Sequence, residues 1–71
     1  MVNPVKGMLA IENVPGQVSI YDLKTGKKIN ELLFPSELML GEFSEDGKKF
    51  FVLTRNQTYY IFDTEKLAAG V

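Results

Sequence analysis

The chain has 71 residues, with eight Lys and Arg against nine Asp and Glu and a formal net charge of −1. That length admits one domain, residues 1–71, and chains of this size bury only about 60% of their unfolded surface, so stability is thin unless something reinforces the core. With neither cysteine nor histidine present, disulfides, thiolate zinc sites and imidazole acid–base chemistry are excluded.

The near-neutral charge gives no global attraction to nucleic acid or anionic lipid. An apolar fraction of 45% is that of a folded chain. Met1 to Lys6 has no signal-peptide pattern, and no apolar run approaches the roughly 20 residues of a membrane helix, so the expectation is a cytoplasmic protein without membrane, metal or cofactor.

In chain order, residues 8–12 alternate, with Leu9 and Ile11 on one side and Ala10 and Glu12 on the other, the period-two pattern of a strand. Val14-Pro15-Gly16-Gln17 specifies a type II turn, because Pro15 sets φ near −65° and Gly16 accepts the positive φ that follows. The next strand, 17–23, sends Val18 and Ile20 one way and Ser19 and Tyr21 the other. Asp22 ends it with a carboxylate placed to accept backbone N–H bonds, and Gly26 supplies the left-handed position of the turn.

A third strand over 27–33 puts Ile29 and Leu33 on one face and Asn30 and Leu32 on the other. Pro35 interrupts the pattern. Residues 39–43 read as a short strand in which Gly41 marks a bulge or a close approach. Ser44-Glu45-Asp46-Gly47-Lys48 is a second turn with glycine in the left-handed site. It leads into 49–54, where Phe50, Val52 and Thr54 alternate with Phe51 and Leu53. Asn56-Gln57 stands where Pro15-Gly16 stood, and 58–63 forms the last strand. Thr64 is expected to cap a short helical turn through Ala69, stopped by Gly70.

Gly7–Asp22 and Lys48–Asp63 align without a gap at an offset of 41 residues. Each copy reads as a β-hairpin, and a recurrence near about 40 residues is the period of a propeller blade. The endings Ile20-Tyr21-Asp22-Leu23-Lys24-Thr25-Gly26-Lys27 and Ile61-Phe62-Asp63-Thr64, with the turn Phe43-Ser44-Glu45-Asp46-Gly47-Lys48, resemble the WD-like and YVTN-like β-propeller repeats. The resemblance implies an all-β antiparallel meander of about six short strands, blade-like, that belongs to a larger propeller or assembles with other copies. The alternative is a small closed β-barrel, which removes its sheet edges within one chain.

Catalytic readings are weak. Asp22 and Asp63 hold matching positions that turn capping explains. Ser19, Ser36 and Ser44 have no histidine to activate them. Glu45-Asp46-Gly47 lacks the spaced oxygen ligands of a calcium loop, and Gly41 with Gly47 forms no phosphate-cradling run.

The expected role is a non-catalytic protein-interaction or structural module, self-associating or bound to a protein partner, with Phe51, Leu53, Tyr60 and Phe62 as the interaction face. The alternative is a small barrel that stacks single-stranded nucleic acid on Tyr59, with Lys48, Lys49 and Arg55 on its phosphates. Glu42, Glu45 and Asp46 lie beside those lysines and weigh against it.

Overall fold

The computed structural model describes residues 1–69. The first sheet contains β1 (Val2–Asn3), β2 (Met8–Val14), β3 (Gln17–Asp22) and β4 (Lys28–Leu33) in sequential antiparallel order; β5 (Leu38–Phe43), β6 (Lys49–Thr54) and β7 (Tyr59–Asp63) form the second. The single turn and a half of α1 (Thr64–Ala68) follows.

The sheets pack face to face. Alternation along β2 and β3 directs Met8, Ala10, Val18 and Ile20 inward, and alternation along β6 directs Phe50 and Val52 against them; Leu67 of α1 completes the buried cluster. At about 1.5–3 kcal/mol for each large apolar side chain buried, this cluster is the main favourable contribution to folding. Phe43 stacks on Phe50 with ring centroids 4.6 Å apart. Phe34, at the crossing from one sheet to the other, meets Tyr60 and Phe62 edge-on at 4.9 and 5.9 Å.

Polar side chains join the layers where apolar ones do not reach. The Glu12 carboxylate accepts from the backbone N–H of Gly16 at 2.9 Å and of Leu38 at 3.0 Å, tying the β2–β3 turn to the start of β5. The carbonyl of Gly47 accepts from buried Asn3 (2.9 Å) and buried Thr64 (2.7 Å), joining β1, the β5–β6 turn and the start of α1 at one atom. Asn30 on β4 donates to the Leu67 carbonyl at 3.2 Å and holds α1 over the open side.

The propeller resemblance and the blade-like meander are both corrected by this architecture. The sheets are flat, neither curls into a blade, and together they make a two-layer arrangement of four and three strands. The closed barrel is corrected too, since no described strand joins one sheet to the other to close a ring. The turns behind the resemblance form as read: Asp22 accepts from the Lys24 N–H at 3.0 Å, Asp46 from the Lys48 N–H at 3.0 Å, and Gly26 and Gly47 adopt φ of 72° and 75°. Turn chemistry specifies a hairpin but says nothing of how hairpins are grouped into sheets.

Two smaller corrections concern the ends. β1 has only two residues, too short for any periodic pattern, and is held by Asn3 and by the bonds between Met1 and Ala10. The cap of α1 is Asp63, whose carboxylate accepts from the Glu65 N–H at 3.1 Å, while Thr64 is the first helical residue. The stop expected at Gly70 lies outside the described residues.

Candidate interaction surface

The strand β6 is the centre of the second sheet, so its alternation fixes both faces. Phe50, Val52 and Thr54 point inward and are fully buried. Phe51 pairs with Glu42 and Ile61, and Leu53 with Leu40 and Tyr59. Opposed residues share a face, and the outer face therefore carries Leu40, Phe51, Leu53, Tyr59 and Ile61. Leu40, Tyr59 and Ile61 are 48%, 56% and 58% exposed, with Phe51 and Leu53 half-buried between them. The rings of Phe51 and Tyr59 lie parallel within 6° at 6.3 Å.

The expected face of Phe51, Leu53, Tyr60 and Phe62 is thus divided. Phe51 and Leu53 are on the outer side, whereas Tyr60 and Phe62, paired with Val52 and Phe50, face the interior against Phe34. The cause is one residue in the turn. A two-residue Asn56-Gln57 turn would have set Phe51 opposite Phe62 and Leu53 opposite Tyr60. Instead Arg55, Asn56 and Gln57 form a three-residue turn, Gln57 adopts φ of 67°, and the register moves by one, which transfers side chains between faces. Tyr59 and Ile61 replace Tyr60 and Phe62 on the exposed side.

The residues considered for nucleic acid do not gather. Lys48 and Lys49 stand at the start of β6, with Asp46 accepting the Lys48 N–H and Asp63 opposite Lys49. Arg55 is at the far end, six positions from Lys49 or about 20 Å along a strand, and its guanidinium pairs with Glu37 at 2.6 Å. Tyr59 shares that end but belongs to the apolar outer face.

The hydroxyls and carboxylates considered for catalysis have local structural partners. Ser19 is buried and accepts from Asn13 at 3.0 Å; Ser36 accepts from the Asn56 N–H at 3.1 Å. Ser44 donates to Asp46 at 2.6 Å, and this bond, followed by that from the Lys48 N–H, holds the Asp46 carboxyl below the usual carboxylate range. Among the described residues, no group of three potential metal-binding side chains is assembled.

The first sheet has an outer face of mixed character. Leu9, Ile11, Tyr21 and Leu23 line a shallow, mainly apolar groove of about 210 Å³ on it. Beyond the buried Ser19, Gln17 donates to Glu31 at 2.6 Å and Lys28 bridges to the same carboxylate at 2.5 Å. These two bonds, Lys28 first, lower the Glu31 pKa.

Superposing the two sequence copies assigns opposite fates to equivalent faces. Glu12 opposes Val18 as Leu53 opposes Tyr59, so the two hairpins have the same register at the 41-residue offset. In the first, Ala10, Val18 and Ile20 are buried; their counterparts Phe51, Tyr59 and Ile61 form the open face. Counterparts of the first hairpin's outward Leu9, Ile11 and Tyr21 are Phe50, Val52 and Phe62, which face the core. One face of the hairpin pattern therefore packs against the other face of its repeat.

No family model, curated protein or solved structure matches the chain. No described helix is long and apolar enough to cross a membrane.

Proposed function

We propose that this chain is a non-catalytic protein-interaction module whose contact surface is the outer face of β5–β7. The observation that supports this reading is the cluster of Leu40, Phe51, Leu53, Tyr59 and Ile61, contiguous across three strands and facing solvent. A protein surface that retains adjacent aromatic and aliphatic side chains of this kind is suited to partner burial, and aromatic side chains are frequent centres of binding energy.

Affinity capture with the Phe51→Asp variant tests it. A carboxylate in the centre of the covered face has to be desolvated on binding, so a captured polypeptide, whether another copy or a different protein, should bind about tenfold or more weakly. Ile11→Asp, on the other sheet, is the comparison for a partner other than the chain itself. Undiminished capture by a folded Phe51→Asp protein would overturn this assignment of the surface.

A further inference from the structure

The internal packing identifies what fits the open face. We infer that copies of this chain associate head to tail, the outer face of β5–β7 on one copy stacking on the outer face of β1–β4 on the next. This deepens the interaction reading by naming a second copy as the partner, and it rests on that reading.

The argument begins with the swapped faces. Within one chain, the Ala10/Val18/Ile20 face of the first hairpin packs on the Phe50/Val52/Phe62 face of the second. At the repeat offset, the first of these is equivalent to Phe51/Tyr59/Ile61, and the second to Leu9/Ile11/Tyr21. Those are the faces left outside. A second copy bringing Leu9, Ile11 and Tyr21 onto Phe51, Tyr59 and Ile61 repeats the internal arrangement between equivalent positions, with apolar side chains on both sides. The shallow groove along Leu9, Ile11, Tyr21, Asp22 and Leu23 lies on the outer face of β1–β4.

Charge opposes the contact only weakly. The chain's net charge is −1, so copies repel weakly. Around the open face of β5–β7, Glu42 and Asp63 flank a single Lys49, and the other outer face has the paired Lys28 and Glu31 at its margin with Asp22 beside its groove. Because the two contacting surfaces differ, the interface is heterologous. A dimer leaves one surface of each kind open, and addition continues until a ring closes or a linear array forms.

This geometry has a mixing test. Light scattering from low to high micromolar concentration should give masses above the dimer for the unaltered chain. Phe51→Asp removes one surface and Ile11→Asp the other, so each variant alone should be monomeric at the same concentrations. Mixed in equal amounts, they should form a heterodimer and stop there, since the intact outer face of each sheet meets its counterpart once. If Phe51→Asp does not fold, the more exposed Ile61→Asp takes its place, with folding of each variant checked by amide NMR dispersion.

A mixture that stays monomeric, or either variant assembling alone, would overturn head-to-tail stacking. An unaltered chain that is monomeric throughout overturns it as well. In that case Phe51-dependent capture of a different polypeptide would leave the broader interaction reading intact, and its loss would remove both.

Discussion

The hairpins β2–β3 and β6–β7 share a register and differ in how they reach it. In the first, a two-residue Pro15-Gly16 turn is followed by a bulge at Asn13; in the second, the extra residue sits within the turn and the ladder beyond it is regular. Gly16 and Gln57 hold equivalent positions, with φ of 83° and 67°. The same left-handed backbone site is occupied once by glycine and once by a residue with a Cβ. Their surroundings differ as well: β3 lies between two strands, while β7 has a neighbour on one side only. Local pattern can thus be reproduced while the environment of each copy is set elsewhere in the chain.

The largest expected separation is between the faces of β6. Phe50→Ala removes a fully buried ring that stacks on Phe43 and should cost about 3–5 kcal/mol. Phe51→Ala, one residue on and half-buried, should cost about 1 kcal/mol or less. Urea denaturation of both variants makes the comparison, and equal losses would break the inner-versus-outer assignment.

The turns provide the next comparison. Alanine at Gly16 would combine a positive φ with a Cβ 2.7 Å from the Phe34 carbonyl oxygen, a backbone atom with little freedom to move; the expected loss is about 2–4 kcal/mol. Gln57→Gly goes the other way. It relieves a left-handed non-glycine residue and should stabilise by about 1 kcal/mol, or a rise in Tm of roughly 4–8 °C for a domain of this size. A thermal melt in which Gln57→Gly is neutral or destabilising would show that the two sites are not conformationally equivalent.

The smallest effect is expected in the β5–β6 turn. Ser44→Ala deletes the principal hydrogen bond that lowers the Asp46 pKa, so the carboxyl should titrate closer to its ordinary value of about 4. A depressed folded pKa means that the ionised carboxylate's contribution is present above the ordinary range and lost as pH falls through the lower folded value. Side-chain carboxyl NMR shifts would record the change. An unaltered titration would assign the depression to the remaining partners, the Lys48 N–H first, then the Lys48 charge and the Asp46 N–H.

Most of the strand content was legible, because alternation such as Phe50-Phe51-Val52-Leu53 and turns such as Asp46-Gly47 are local signals. The faces of the second hairpin were not. They depend on whether a turn contains two residues or three, a difference of one position that transfers Tyr60 and Phe62 from the expected surface to the interior. Pairing of the sheets was also hidden, since the Glu12 carboxylate bonding to Leu38 and the Phe34 ring meeting Tyr60 join residues 26 positions apart in each case. The candidate surface was half legible: Phe51 and Leu53 belong to it, and Tyr59 and Ile61 are found only once the register is known.

The doubly bonded Gly47 carbonyl bears on the order in which the molecule assembles. Each hairpin closes between neighbours in sequence, but the Asn3 bond to Gly47 spans 44 residues and that from Thr64 spans 17. Closing longer loops carries a greater entropic cost, which places the Asn3 contact after the local hairpins in folding. A ribosome-bound chain can form β2–β3 early, yet this junction is incomplete until residue 64 has emerged, so the two layers are locked together only after every strand of both sheets has left the ribosome.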